Sequence, residues 1–252
     1  KLLASRNYMT VALIVPYYED PDRLEGILYN DCTFKYFDRV IIVDDASPNH
    51  PAKPIVDEHL EECFCNKKKL SLYRIKIDYG FNAHGARNLG ACIASNCEWL
   101  LFMDVDQELT VEFCESLLEE MQNCNQREFV LCNLFGEDPG NIFACRRSQF
   151  FEAGGYDEEL RGYHMGDKIF RERLDFLHKP KLMTTKLLTN RMGRKVLVDD
   201  NVTGTIYPND QTVIQRGQHH IEPIITMINE RNKDPKSWEN IPKISFDWER
   251  EI

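Results

Sequence analysis

No stretch of the chain approaches the run of about 18 apolar residues that a spanning helix needs, so no transmembrane segment is expected. The nine cysteines include no C-x-x-C pair and follow no regular spacing, which argues against a disulfide framework or a zinc ribbon. Cys63 and Cys65 lie beside Lys67, Lys68 and Lys69 and far from any His pair, a poor setting for zinc. Reduced, mostly buried thiols in a cytoplasmic compartment are expected instead. Basic charge is also short: 31 Lys and Arg face 41 Asp and Glu, a net of −10, which argues against nucleic acid as the main partner. No G-x-G-x-x-G follows the first apolar run, so a nicotinamide or flavin dinucleotide site is not expected. No G-x-x-x-x-G-K-[ST] is present either, which excludes a P-loop nucleotidase. Internal repeats and low-complexity segments are absent. Any phosphate must therefore be met by a metal ion or by a few placed cations.

What is present is a series of short apolar runs that close on polar residues. At 252 residues the chain can bury roughly 70–75% of its extended surface as one large α/β domain. Val11 to Val15 reads as a buried strand ending at Pro16, which cannot donate to a ladder. The loop Pro16-Tyr17-Tyr18-Glu19-Asp20 follows, then a helix capped by Asp20 or Asp22 with Leu24, Ile27 and Leu28 inward. Val40 to Val43 is the second strand, closing on Asp44-Asp45-Ala46-Ser47; a helix through Ile55 and Leu60 and a solvated Lys67–Lys69 turn come next. The third strand, Leu70 to Ile77, leads through Asp78 to Asn82 into a small-residue helix over Ala83 to Ser95. After a fourth strand comes a helix with Val111, Cys114, Leu117, Leu118 and Met121 on one face.

Four strand–helix alternations predict a mostly parallel sheet with helices on both faces. Beyond Asn123 the pattern changes to strands over Phe129–Leu134 and Asn141–Cys145, joined by a turn over Gly136 to Gly140, then Gly154-Gly155-Tyr156. Residues 1–8 lack a signal-peptide pattern and read as a remnant or linker. Residues 9–252 read as a single domain, with a first half over 9–123, a second over 124–231 and a polar tail over 232–252. Further domains in the full-length protein are compatible with this.

The fourth strand carries the chemistry. Five apolar residues from Trp99 to Met103 stop on Asp104-Val105-Asp106, placing two carboxylates at the end of a buried strand. Ligands of parallel α/β sheets sit at strand C-termini, and two hard oxygen ligands there suit Mg²⁺ or Mn²⁺ rather than zinc. The competing reading makes Asp104 a turn residue and Asp106 the start of the next helix.

Four segments in order, Val15-Pro16-Tyr17-Tyr18, Val43 to Ser47, Gly85-Ala86-Arg87-Asn88-Leu89-Gly90 and Phe102 to Asp106, resemble the nucleotide-sugar half of GT-A glycosyltransferases of family 2. Gly154-Gly155-Tyr156-Asp157-Glu158, then Gly162-Tyr163 and Asp167, resembles the acceptor-side motif of the same enzymes, so the likeness spans about residues 10 to 175. It implies a GT-A, Rossmann-like sheet with a small acceptor-side subsheet and C-terminal loops. It also implies inverting transfer of a sugar from a nucleoside diphosphate sugar, UDP above all, to a hydroxyl acceptor such as a glycan. By that resemblance Pro16, Tyr17, Tyr18, Glu19 and Asp45 line the base and ribose pocket. Arg87 lies by the base or diphosphate, Asp104 faces ribose and metal, and Asp106 holds the Mn²⁺ or Mg²⁺. Asp167 takes the place of the general base.

Two positions depart from the family pattern: Gly166 stands where the family has Glu, and His164 where it has Gly. These departures open Asp157 or Glu158 as substitutes for the base. An N-cap role on the following helix is the plain alternative for Asp167. His219 or His220 is a candidate further metal ligand, His178 a poorer one, and Arg191, Arg194 and Lys195 could close on the diphosphate. The rival functions are a non-catalytic nucleotide-sugar-binding module and a sugar nucleotidyltransferase. The latter would want a Gly- and Arg-containing loop where Pro16-Tyr17-Tyr18 stands.

Overall fold

The computed structural model of the chain describes residues 9–79, 82–132, 142–160, 166–183, 190–191, 223–241 and 243–252. An eight-stranded sheet runs in the order β10-β3-β2-β1-β4-β7-β6-β8. Its first half comprises β1 (Val11–Tyr17), α1 (Pro21–Leu28), α2 (Asp31–Tyr36), β2 (Arg39–Asp44), α3 (Ala52–Glu62), β3 (Leu70–Ile75), α4 (Ala83–Ile93) and β4 (Trp99–Phe102). A two-residue strand β5 (Gln107–Glu108) and α5 (Val111–Asn123) follow. The second half holds β6 (Glu128–Leu131), β7 (Phe143–Arg146), α6 (Arg147–Glu152), α7 (Gly166–Leu177), β8 (Lys179–Leu182), β9 (Asn190–Arg191) and β10 (Trp248–Arg250). Residues 223–232 form a further helix.

β1 is buried along its length because both faces are covered. Val11, Leu13, Val15 and Tyr17 meet residues of α1, α2, α3 and α5, while Ala12 and Ile14 meet those of α4, α6 and α7. Period-two alternation thus serves two cores, and the run reads as continuously apolar. β1 pairs in parallel with β2 and β4, and β2 with β3; β4–β7, β6–β7 and β10–β3 are antiparallel, while β6–β8 is parallel. The sheet is mixed and mostly parallel, with helices on both faces. Helix α4 lies tight on β1: a side chain at Gly90 would meet Ile14 Cγ2 at 2.4 Å.

Several local expectations need correcting. β1 does not stop at Pro16 but continues to Tyr17, with Pro16 in register with Val43. Its pairing with β4 ends at Ile14, so the missing Pro16 N–H faces the side from which β4 has already departed, and no ladder bond is lost. Asp20 stands at the N-cap of α1, yet its side chain makes no capping bond and pairs with Arg23 at 2.6 Å. Helix α2 was not anticipated; Asn30 caps it by accepting from Cys32 N at 2.8 Å. Lys69 is not solvated, since its Nζ donates to the carbonyls of Phe34 and Phe37 at 2.6 and 3.0 Å. Within the polar tail over 232–252, β10 adds an edge strand to β3. The turn expected over Gly136 to Gly140 lies outside the described residues.

Candidate active site

The C-terminal ends of β1, β2 and β4 meet the N-terminus of α4, and most of the motif residues gather there. Asp44 organises the β2 end: its carboxylate accepts from Ser47 N, Ala52 N and Arg74 Nη1 at 2.8 to 2.9 Å. Asp45 differs. Its Oδ2 accepts from Asn82 N at 2.5 Å, while Oδ1 is buried without a hydrogen-bond partner. Burial, reinforced by Asp78 and Asp44, pushes its carboxyl well above the usual carboxylate range, against the opposing bond from Asn82 N. The Nδ2 of Asn82 is likewise buried and without a partner, although its Oδ1 caps α4 by accepting from Gly85 N at 3.2 Å. A buried acceptor and a buried donor left unpaired are what a ligand's amide or hydroxyl edge would satisfy.

The β1 loop is only partly open. Pro16 and Tyr17 are buried, and the Tyr17 hydroxyl donates to His50 O at 2.5 Å. Glu19 takes a positive φ of 52°, and its carboxylate accepts from Asn49 N and His50 N at 2.8 and 3.0 Å. Tyr18, half-buried, donates toward Asp78 at 3.3 Å. Tyr17 and Glu19 therefore shape the loop, and Tyr18 is the aromatic face that stays partly exposed.

At the β4 end, Asp104 and Asp106 are both partly exposed. Asp106 Oδ1 accepts from Gln107 Nε2 at 2.8 Å. Just beyond, the backbone of β5 pairs with that of β9, which brings the Arg191 position alongside Gln107. Arg87, only 2% exposed, reaches from α4 to two carboxylates: Nη1 donates to Asp167 Oδ1 at 2.6 Å, and Nη2 to Asp104 Oδ1 in a short contact. Its guanidinium also lies 5.4 Å from the Tyr156 ring centroid. Sequence reasoning placed Arg87 near a base or diphosphate; here it bridges the two edges of the site. Burial alone would raise the Asp167 carboxyl, but the charges of Arg87 and His84 hold it below the usual value.

The glycine motif is held to α4 by Asn88, whose Nδ2 donates to Tyr156 O at 3.0 Å while its Oδ1 accepts from Tyr156 N at 2.9 Å. Gly154 and Gly155 have φ of 81° and 64°, which explains why both are glycine. The two alternative bases are committed elsewhere. Asp157 is fully buried and paired with Arg173 at 2.6 Å and with Arg231. Glu158 accepts from Asn88 Nδ2, Ile244 N, Ser245 N and Ser245 Oγ, and so fastens the C-terminal segment. Asp167, by contrast, is engaged by Arg87 beside Asp104.

His84, on the first turn of α4, was not singled out from the sequence. It is fully buried and stacks on Tyr156 with centroids 5.7 Å apart. A side chain at Gly166 would meet His84 Nε2 at 2.3 Å. The Asn82 cap with a His two residues on was the only signal available in the sequence. We expect Gly166→Ala to cost about 1–3 kcal/mol by overpacking, read as a lower urea midpoint; an unchanged midpoint would mean the ring moves aside freely.

His178 pairs with Glu152 at 3.3 Å and lies 3.4 Å from Gln149 Nε2. His164, Arg194, Lys195, His219 and His220 lie outside the described residues. Among the described residues, no group of three or more His, Cys, Asp or Glu is gathered closely enough to hold a metal ion. No helix among them is long and apolar enough to cross a membrane. All nine cysteines are free, six of them buried.

Comparison with solved structures returns glycosyltransferases. A mannosyltransferase from Pyrobaculum calidifontis, in complex with GDP-mannose and Mn²⁺, matches with a TM-score of 0.60 at 18% identity, over 75% of this chain and 59% of that one. The transferase GalNAc-T7, with UDP, GalNAc and Mn²⁺, matches at 0.53 and 16% identity, over 71% of this chain and 43% of that one. A mutant of Drosophila β1,4-galactosyltransferase 7 with manganese, UDP-Gal and xylobiose matches at 0.54 and 13%, over 81% and 79%. The chain thus spans well under two thirds of the first two. Identities this low establish the GT-A fold alone. No curated relative matches the chain by sequence. The family model for glycosyl transferase family 2 matches residues 12–201, most of the sequence and all of its motif residues up to β9, and the chain belongs to that family.

Proposed function

We propose that the chain is an inverting, metal-dependent glycosyltransferase that moves a sugar from a nucleoside diphosphate sugar, with UDP as nucleotide, to a hydroxyl on a glycan. One observation carries the reading. A single buried guanidinium, Arg87, joins Asp104 at the donor edge to Asp167 at the acceptor edge, so both carboxylates face one reaction space. Asp45 and Asn82 offer the unpaired acceptor and donor that a base or ribose would complete. Asp104 and Asp106 are partly exposed hard-oxygen donors at the sheet edge, which fits Mn²⁺ or Mg²⁺. Once bound there, the cation would supply positive charge to the departing diphosphate.

The chain's own residues account for the rest. Asp167, held ionised, accepts the proton of the acceptor hydroxyl as its oxygen forms a bond to the anomeric carbon. The bond from that carbon to the diphosphate oxygen breaks, and the nucleoside diphosphate leaves with the electron pair. Attack from the face opposite the nucleotide inverts the anomeric centre. The free, largely buried thiols suit a reducing compartment such as the cytoplasm.

A second reading, a nucleotide-sugar-binding module without transfer, draws support from Arg87 engaging both carboxylates at once. Melting the protein with Mn²⁺ and a panel of UDP- and GDP-sugars tests donor binding. At a concentration about a hundred times Kd, the donor should add about 2.7 kcal/mol, read as a rise of several degrees in Tm. Asp106→Asn should abolish the Mn²⁺-dependent part; if it persists, the metal lies elsewhere. Release of nucleoside diphosphate in the same mixtures separates an enzyme from a binding module.

A further inference from the structure

We propose that His84 is a positioning residue of the acceptor-side base, acting on Asp167 from the first turn of α4 through the gap left by Gly166. This rests on Asp167 being the base. The geometry has three parts. The His84 ring fills the space a side chain at 166 would take, with Nε2 only 2.3 Å from that Cβ position. It therefore lies against the backbone that begins α7, one residue before Asp167. Its other face stacks on Tyr156 at an interplanar angle of 30°, and Tyr156 in turn stacks on Phe170 of α7 at 4.6 Å. The ring is thus clamped between the glycine motif and the start of α7.

Arg87, one turn further along α4, grips the Asp167 carboxylate from the same helix. Two residues of α4 therefore bear on Asp167: Arg87 at its oxygens, and His84 through the Gly166 backbone that precedes it. Among the described residues, the groups that bear on Asp167 are Arg87 and His84 from α4 and Tyr156 from the motif loop, with Arg171 on its own helix and Asp104 across Arg87. His84 adds to the pull of Arg87 in holding the carboxyl ionised.

An aliphatic or aromatic plug could fill the space equally well, and that contrast gives the test. His84→Phe keeps a ring between Gly166 and Tyr156 but removes the imidazole. His84→Ala combined with Gly166→Ala removes the imidazole and returns part of the lost volume from the other side of the contact. The probes are UDP-glucose, UDP-galactose, UDP-N-acetylglucosamine and GDP-mannose with Mn²⁺, with water as acceptor and nucleoside diphosphate release as the readout. Asp167→Asn is run in parallel.

We expect both His84 variants to lose about tenfold or more in kcat per folded molecule, with donor KM within roughly twofold. We also expect the acid limb of their pH profile to move to higher pH, because a charge that lowers the Asp167 pKa has been removed. Wild-type kcat and an unmoved limb in either variant overturn the proposal. So does a lowered Tm with normal turnover by the folded fraction, which would make the ring a packing plug. If Asp167→Asn turns over like wild type, or wild type turns over none of the four donors, the underlying reading of the site fails, whatever the His84 variants do.

Discussion

Replacing Asp167 by Asn is expected to reduce sugar transfer by about 10²–10⁴-fold while donor binding survives. The amide keeps the volume and can still accept from Arg87, so α7 and the bridge to Asp104 should persist. What it lacks is the basicity to take the hydroxyl proton. The other acids of the motif are engaged in pairs of their own. Asp157, the other acid after the glycine pair, is fully buried between Arg173 and Arg231, and Glu158 is tied to Ile244 and Ser245. Transfer measured at saturating donor, beside donor affinity from thermal shift, separates the two effects. A variant that transfers at the wild-type rate would remove Asp167 from the mechanism.

How much of this was legible beforehand follows the range of the interactions. The parallel strands and their polar ends announce themselves locally, because runs such as Val40 to Val43 and Trp99 to Met103 are buried on both faces and leave no alternation to confuse. The choice between Asp157 and Asp167 does not. It depends on Arg173, which returns from a full turn and a half further along α7, and on Arg231, from the helix over residues 223–232. Pro16 misled because the rule against proline in ladders concerns a donor that is needed, and β4 has departed before that donor would be used. His84 carried no signal in isolation, and Gly166 looked like a lost functional residue. Only their juxtaposition shows that each explains the other. β10, with three exposed residues, has no apolar pattern, and its place is set by an open edge on β3.

Arg87→Met should be the most damaging single change to stability at this site, costing about 3–5 kcal/mol at neutral pH. The guanidinium is buried against two carboxylates, and removing it leaves Asp167 almost enclosed with its compensating charge gone. The pH dependence has a definite sign. In the wild type the Asp167 pKa lies below the ordinary value of 3.8, so its contribution is fully present above that pH and is lost only as pH falls through the lower, folded value. In the variant, burial is no longer outweighed and the folded pKa rises above the unfolded one. The carboxyl then penalises folding at neutral pH, and the penalty fades as acid protonates it. The difference in urea stability between wild type and Arg87→Met should therefore be largest near pH 7 and shrink on approach to about pH 4. A difference that stays constant across that range would mean that the loss comes from packing of the Arg87 stem against Tyr156, and that the bridge between donor and acceptor edges carries little of the energy.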